Sequence, residues 1–185
     1  MLQLCSLRSR GRIFRGKFTS FKPDVKIVYD ANGLIKLVKS GIFPKINHEN
    51  IISQEVYKET VIEGKKRMYD DAFIIGQLIN DKKIKVKMAA SAENIIGLGK
   101  GELTTLQLFH DIKANVIVSD DRRFLRTLEE KNINFTVPTE VIVALVANKR
   151  INKNEGIESL KRIKPFVRKE NYNHAKRQLE GENEN

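Results

Sequence analysis

An apolar strand followed at once by two acidic residues decides the fold: Asn115-Val-Ile-Val-Ser-Asp-Asp121. Its apolar centre predicts a strand that is covered on both faces, as in a parallel sheet. Two further strands are predicted at Val25-Lys-Ile-Val-Tyr29, which ends in Asp30, and at Asn134-Phe-Thr-Val137. Ile84-Lys-Val-Lys-Met88 alternates apolar and polar residues, which indicates a half-exposed strand.

Helical periodicity fills the stretches between these strands. The spacing predicts a helix from Tyr69 to about Asp81, and Ser53, Thr139 and Asn154 are suitable residues to cap three others. Strands that alternate with helices predict an α/β fold, with a central parallel sheet of four to five strands and helices on both faces. The buried face of the helix that begins at Tyr69 is expected to consist of Phe73, Ile74, Leu78 and Ile79.

The charge distribution points to a polyanionic partner. The 185 residues include 34 basic and 23 acidic ones, for a net charge of +11. Six basic residues and no acidic one fall within residues 1–23, and ten basic against three acidic residues fall within 144–179. A nearly neutral body with basic ends is typical of nucleic-acid binding, whereas solvated charge on surface helices is the alternative.

Several classes of protein are excluded by composition. The single cysteine, Cys5, rules out an internal disulfide framework and a cysteine-rich zinc site. The absence of an apolar run near 18 residues predicts a cytoplasmic protein without a membrane partner. The Gly97-Leu-Gly-Lys-Gly101 turn lacks the Ser or Thr that a phosphate-binding P-loop requires after its lysine.

Acidic residues occur where the predicted strands end. Asp30, Asp120 and Asp121 follow strands, Glu102 begins a helix after the glycine-rich turn, and Glu59 lies on an early helix. Since ligands of open α/β sheets gather at the carboxyl ends of strands, these carboxylates are expected to converge. Converging carboxylates repel one another, and an all-oxygen donor set favours Mg²⁺ or Mn²⁺. Such an ion could hydrolyse a phosphodiester bond.

Each acidic residue also has a purely structural explanation. Asp30 could begin a turn, and Glu102 could be a first-turn glutamate favoured by the helix dipole. Asp120 and Asp121 could cap the helix after them, and Glu59 could be solvated. The coincidence of several acids at strand-to-helix junctions on one edge favours the catalytic interpretation.

Four segments in this order and spacing resemble the PIN-domain nucleases, which include the VapC-type toxins. The resemblance covers roughly residues 26–165 and implies a PIN-like fold with Mg²⁺- or Mn²⁺-dependent endoribonuclease activity. The segments are Val28-Tyr-Asp-Ala-Asn-Gly-Leu-Ile35, Ser53-Gln-Glu-Val-Tyr-Lys-Glu59, Gly97-Leu-Gly-Lys-Gly-Glu102 and Ile117-Val-Ser-Asp-Asp-Arg-Arg-Phe124.

By resemblance, Asp30, Glu59, Glu102 and one of the pair Asp120 and Asp121 form the acidic site. The family's Asp-x-x-Phe pattern favours Asp121, whereas the position directly after the serine favours Asp120, so both are retained as metal ligands. Glu59 would orient water or support the ligands. Substrate binding is expected of Asn32, which stands where the family often has Ser or Thr, and of three cations beside the acids: Lys100, Arg122 and Arg123.

The expected function is therefore a metal-dependent endoribonuclease, either a VapC-like toxin or an RNA-processing factor. The expected partners are RNA, a possible antitoxin protein and a second copy of the chain in a homodimer. A non-catalytic RNA-binding module, or a ribosome-associated factor that retains the fold, is the alternative. The domain boundaries are a flexible basic arm at 1–24, a PIN-like nuclease domain at 25–165, and a basic helical extension with a polar tail at 166–185.

Overall fold

A five-stranded parallel sheet forms the centre of the computed structural model, which describes residues 25–91 and 95–181. The strands are β1 (Lys26–Tyr29), β2 (Glu49–Ser53), β3 (Lys85–Lys87), β4 (Val116–Val118) and β5 (Phe135–Thr136). Their order across the sheet is β3-β2-β1-β4-β5, and all four pairings are parallel. The prediction of an α/β fold with a parallel sheet is confirmed.

The strand order places a topological switch point between β1 and β4. From β1 the chain moves outward through β2 and β3, and it then returns to the other side of β1 as β4. In open parallel sheets the crevice at the carboxyl end of such a point is where ligands bind. Tyr29 pairs with Val118 in the sheet, so Asp30 and Ser119 emerge side by side at that crevice.

The helices surround this sheet. They are α1 (Ala31–Ser40), α2 (Gln54–Tyr57), α3 (Gly64–Lys66), α4 (Asp70–Asn80), α5 (Lys100–Asp111), α6 (Arg122–Glu130), α7 (Pro138–Ala147), α8 (Lys153–Ile163) and α9 (Lys169–Glu180). A π-helical segment, Lys58–Glu63, joins α2 to α3, and 3₁₀ turns occur at Phe43–Lys45 and Lys164–Phe166.

Alternating strand residues build two apolar cores, one on each face of the sheet. Ile27 and Tyr29 of β1 belong to the larger core, and Val28 between them belongs to the smaller one. Helices α1, α4, α7, α8 and α9 contribute buried residues to the larger core, whereas α5 and α6 cover the other face. Each large apolar side chain buried in this way contributes about 1.5–3 kcal/mol to stability. The central strands are consequently rigid supports for whatever follows them.

The buried face of α4 differs from the prediction. Phe73 and Ile74 are 46% and 49% exposed, whereas Ala72 and Ile75 are fully buried and Leu78 is inside as expected. The inner face also carries a charged residue, Asp71, whose carboxylate accepts a hydrogen bond from Lys39 of α1 at 2.6 Å. The predicted face is therefore half correct: Leu78 is buried and Ile79 partly buried, whereas the places expected for Phe73 and Ile74 are taken by Ala72 and Ile75.

Two predicted helix caps are also wrong. Helix α7 begins at Pro138 after Val137, since the proline ring favours the first helical position, and Thr139 lies buried inside the first turn. Helix α8 is capped by Asn152 rather than Asn154: Asn152 and Glu155 form a reciprocal capping box. The predicted cap at Ser53 is confirmed, because its hydroxyl accepts a hydrogen bond from the Val56 amide at 3.2 Å.

The C-terminal helix α9 packs against the larger core. Ala175 and Leu179 are buried there, and α9 lies against α7 and α8. The predicted basic arm at 1–24 and the last four residues lie outside the described residues. Within residues 25–91 and 95–181, no helix combines the length and the apolar character that crossing a membrane would require.

Candidate active site

Asp30 occupies the switch point, between the end of β1 and the start of α1. As the N-cap of α1, its Oδ1 accepts a hydrogen bond from the Gly33 amide at 2.6 Å, and the Ser119 hydroxyl donates to its Oδ2. Burial, with a smaller contribution from the charge of Glu102, raises the pKa of Asp30 to about 7, although the two hydrogen bonds and Lys36 act in the opposite direction. The ionised form of Asp30 is therefore disfavoured in this environment, and a bound cation would stabilise it.

Gly33 allows α1 to begin close enough to β4 for Asp30 to reach this position. A Cβ atom at Gly33 would lie 2.4 Å from the carbonyl oxygen of Val118 and 3.0 Å from Oδ1 of Asp30. The backbone of β4 cannot move away without breaking its pairing with β1. The glycine is therefore a requirement of the site and not of helix formation.

Glu102 approaches the same crevice from the first turn of α5. Its Oε2 accepts a hydrogen bond from the Gly99 amide at 2.7 Å, so the predicted structural role at a helix start is real. The same side chain also interacts with Asp121. Partial burial raises the pKa of Glu102, and the neighbouring charge of Asp121 adds to the increase. One carboxylate thus serves both the helix and the acidic site.

The two neighbouring aspartates after β4 lie in different environments. Asp121 is the N-cap of α6: its Oδ1 accepts hydrogen bonds from the amides of Arg123 and Phe124, each at 2.9 Å. Its charge also acts on Glu102, whose pKa it raises. Asp121 therefore belongs to the acidic site at the crevice.

Asp120 is enclosed by basic and amide groups instead. Its side chain is 2% exposed and lies 2.7 Å from Nζ of Lys36 and 3.4 Å from Nη2 of Arg168. Nδ2 of Asn171 donates to Oδ1 of Asp120 at 3.2 Å. This cluster, which we call the Asp120 cluster, joins α1, the end of β4 and α9.

Glu59 reaches the site from the π-helical segment. Helical segments of this kind occur frequently at functional sites. Its Oε2 lies 3.1 Å from the position that a Cβ atom on Gly101 would occupy, so the start of α5 passes close beside it. Burial raises the pKa of Glu59. Asp30, Glu59 and Glu102 line one cavity of about 410 Å³.

The structure also places the predicted substrate-binding residues. Asn32 and Lys100 line the same cavity as the acids. Arg122 and Arg123 begin α6 beside Asp121, and both are exposed. Nη1 of Arg123 donates to the carbonyl oxygen of Gly97 at 2.8 Å, so this arginine also supports the turn before α5.

Sequence reasoning missed several residues at the site. Ser119 holds Asp30, and its position between β4 and two aspartates could have indicated that. Lys36 contacts Asp120, which is 84 positions away in the chain, and no local sequence pattern predicts a contact of that kind. Three more residues of the α2–α3 region line the cavity: Glu55, Lys58 and Glu63. Glu55 and Glu63 lie four positions before and after Glu59, and that helical spacing was the available signal, whereas Lys58 is adjacent to Glu59 and gave none.

The chemistry of the donor set fits a hard divalent cation. Within residues 25–91 and 95–181, no three acidic, histidine or cysteine side chains are gathered into a ready-made cation cluster. The acids interact in pairs, since Glu102 raises the pKa of Asp30 and Asp121 raises the pKa of Glu102. Carboxylate oxygens that are partly buried and mutually repelling match the ligands that Mg²⁺ and Mn²⁺ prefer.

Fold and site together define an α/β protein of nuclease type, with acidic residues at the carboxyl ends of its two central strands. A family model described as "PIN domain" matches residues 26–181, and the chain therefore belongs to the PIN-domain family. PIN domains are generally nucleases and typically use divalent metal ions. The recognition made from the four sequence segments is confirmed.

One similar solved structure is a PilT N-terminus domain protein from the hyperthermophilic archaeon Sulfolobus solfataricus P2. It is 14% identical, covers 69% of this chain and 95% of its own, and gives a TM-score of 0.49. No curated protein matches the sequence significantly.

Proposed function

We propose that this protein is a metal-dependent endoribonuclease that hydrolyses phosphodiester bonds in RNA with Mg²⁺ or Mn²⁺. The observation that carries the proposal is the cavity at the switch point, which Asp30, Glu59 and Glu102 line together. The charge of Glu102 also raises the pKa of Asp30, and that of Asp121 raises the pKa of Glu102.

Among the described residues none of the three acids Asp30, Glu102 and Asp121 forms an ion pair within 4.0 Å, and only the more distant charges of Lys36 and Arg123 lower the pKa values of Asp30 and Glu102. Neighbouring acids of this kind are costly to a fold. Their presence is explained when a divalent ion and a phosphate complete the site.

Asp30, Glu102 and Asp121 would hold the ion through their carboxylate oxygens. When bound, such an ion polarises the scissile phosphate and lowers the pKa of a bound water. Glu59, on the wall of the cavity, accepts a hydrogen bond from the attacking water and orients it. Lys100 neutralises a flanking phosphate, and Asn32 donates to a phosphate or ribose oxygen.

Asp120 contributes differently in this proposal. Its carboxylate is neutralised by Lys36 and Arg168, so it has little charge to offer an ion. We therefore assign the metal-binding role to Asp121 and a structural role to Asp120. Arg122 and Arg123 extend the phosphate-binding surface beyond the cut site.

The biological role is proposed as a VapC-like toxin or an RNA-processing factor, acting in the cytoplasm. A toxin would have a protein antitoxin, and purification together with its neighbouring gene product tests for one. A homodimer is proposed as well, and light scattering coupled to size exclusion measures it directly.

A non-catalytic RNA-binding module is the second candidate, in isolation or on the ribosome. The excess of basic residues within 144–179 favours it, because that charge would support binding whether or not the acids hold an ion. The two candidates differ in a single respect, which is turnover.

The experiment is RNA cleavage in Mn²⁺ or Mg²⁺, with EDTA as the metal-free control. We expect metal-dependent cleavage, and a loss of about 10²-fold or more in Asp30→Asn by analogy with other electrostatic catalytic groups. Glu140→Gln is the matched control, because Glu140 is also a buried acid whose pKa burial raises to about 7, but it lies outside the cavity. Tight RNA binding without cleavage in either metal would refute the enzyme and support the binding module.

A further inference from the structure

The segment before α9 combines positive charge with an exposed aromatic ring. Residues 161–172 contain five basic residues and one acidic residue. Phe166, at the end of the 3₁₀ turn Lys164–Phe166, is 50% exposed. Exposed aromatic rings among cations are what proteins use to bind single-stranded nucleic acid, because bases stack on the ring while phosphates pair with the charges.

This segment is continuous with the candidate active site. Arg168 follows Phe166 by two positions, and its Nη2 lies 3.4 Å from Oδ1 of Asp120, the residue before Asp121. On α1, Lys36 contacts Asp120 and Lys39 places its Nζ 5.2 Å from the centre of the Phe166 ring. Helix α1 therefore runs from the acidic site to Phe166.

The length of that run sets a nucleotide count. Nine residues separate Asp30 from Lys39, which at 1.5 Å per residue is about 14 Å along the helix axis. A stacked strand rises about 3.4 Å per nucleotide, so the run corresponds to roughly four nucleotides. A strand cut at the acidic site could accordingly place its fourth base or so near Phe166.

Two exposed lysines within three positions of Phe166 in the chain are available for phosphates. Lys39 is paired with Asp71 at 2.6 Å and Lys161 with Glu158 at 2.8 Å. Lys164 and Lys169 are exposed, and neither has an acidic partner within 4.0 Å among the described residues. Nζ of Lys164 lies 5.4 Å from the centre of the Tyr172 ring, which orients it on the surface of α9.

We propose that Phe166 is a base-stacking residue for single-stranded RNA, with Lys164 and Lys169 as its phosphate contacts, about four nucleotides from the scissile bond. We call these three residues the stacking surface. The inference rests on the proposed function, since RNA is its ligand, but it concerns binding and not cleavage. Its test therefore omits the metal.

The test measures binding of a fluorescent 12-nucleotide single-stranded RNA in EDTA by anisotropy. We expect Phe166→Ala to raise Kd between about fivefold and 150-fold, the range that removal of one stacked base gives. Phe166→Trp keeps an aromatic face and should bind as wild type does. Phe73→Ala is the matched control: Phe73 is 46% exposed and has Nζ of Lys65 5.7 Å from its ring centre, yet it lies on α4.

Chain length and salt dependence sharpen the test. Oligonucleotides with fewer than about four nucleotides on one side of the cut site should bind Phe166→Ala and wild type with the same Kd. Lys164→Ala with Lys169→Ala should reduce the slope of log K against log salt by about 0.7 for each phosphate that the variant no longer neutralises. Circular dichroism and light scattering confirm that all variants keep the fold and the oligomeric state of the wild type.

Three results would overturn the inference. The first is an equal Kd for wild type, Phe166→Ala and Phe73→Ala. The second is that the wild type binds a duplex, whose bases cannot reach a ring, as tightly as it binds single-stranded RNA. The third is that the wild type does not bind single-stranded RNA. Weakened binding in Phe166→Ala with no cleavage in any metal would instead support the stacking surface and refute the enzyme. The two proposals thus fail separately.

Discussion

Asp30 and Asp120 are both buried aspartates at the carboxyl ends of neighbouring strands, yet their surroundings are opposite. Asp120 contacts two basic side chains and an amide, whereas Asp30 accepts two hydrogen bonds and faces another acid. Asp120 forms two ion pairs, whereas Asp30 forms none within 4.0 Å among the described residues, and the charge of Lys36 makes only the smallest contribution to its pKa. This difference supports the proposal that Asp30, and not Asp120, holds the ion.

The largest effect is expected from breaking the Asp120 cluster. Asp120→Ala leaves the ammonium group of Lys36, 15% exposed, without its acceptor. Removal of one partner from a buried pair typically costs about 3–5 kcal/mol, and urea unfolding should show a loss of that size. Asp121→Ala removes a helix cap, for which a loss of about 0.5–2 kcal/mol is expected, and it also relieves the repulsion of Glu102, which reduces that loss. Equal losses in the two variants would contradict the contrast between these neighbours.

Asp30→Asn should stabilise the metal-free protein at neutral pH. The pKa of Asp30 is about 7 in the folded protein, against an ordinary value of 3.8. The contribution of its protonated carboxyl group to the free energy of unfolding is therefore fully present below pH 3.8 and is lost as the pH rises through 7. The difference of about three pKa units corresponds to at most about 4 kcal/mol. Urea unfolding in EDTA should therefore show the variant more stable than wild type at pH 8, and the gain should shrink toward pH 4. A variant less stable at pH 8 would refute this.

Urea unfolding of Glu140→Gln measures the effect of burial on an acid that lies outside the cavity. Burial raises its pKa from 4.5 to about 7, and His174 lies at 3.8 Å. The sign is the same as for Asp30, so Glu140→Gln should gain up to about 3 kcal/mol at pH 8 and little below pH 4.5. Mn²⁺ should raise the melting temperature of wild type and Glu140→Gln but not of Asp30→Asn. A Mn²⁺ response that depends on Glu140 would place the ion elsewhere.

The smallest effects come from two glycines that make room for the site. Gly33→Ala drives a Cβ atom against the backbone of Val118, and overpacking of this kind costs about 1–3 kcal/mol. Gly101→Ala meets the flexible end of Glu59 at 3.1 Å, so its stability should change by about 1 kcal/mol or less while cleavage falls. Thermal melting and cleavage rates measured on both variants test the difference. Equal losses of stability would contradict it.

The sequence predicts four of the five strands and the edge at which the acids lie, whereas β2, Glu49–Ser53, was missed because its apolar run is only two residues long. Apolar runs that end in aspartate are local signals, and the parallel order brings their ends together, which is why Asp30 and the region of Asp120 and Asp121 could be anticipated. Glu102 was predicted equally well, because a glycine-rich turn before a helix start is also local. These features need no knowledge of distant contacts.

The environments of those acids could not be predicted. Asp120 is compensated by residues 84, 48 and 51 positions away, and nothing in its own segment indicates them. The prediction of the buried residues of α4 was partly wrong for a related reason. Asp71 lies on the inner face of that helix and pairs with Lys39, which is 32 positions away in the chain. Local patterns place a side chain at an edge, whereas its charge balance depends on long-range contacts.

We propose that Asp121, and not Asp120, acts with Asp30 and Glu102. Metal-dependent RNA cleavage by Asp121→Asn and Asp120→Asn tests this assignment, when each rate is divided by the folded fraction at the assay temperature. We expect a loss of about 10²-fold or more for Asp121→Asn and a rate close to wild type for Asp120→Asn. A large loss in Asp120→Asn with activity retained in Asp121→Asn would contradict the assignment.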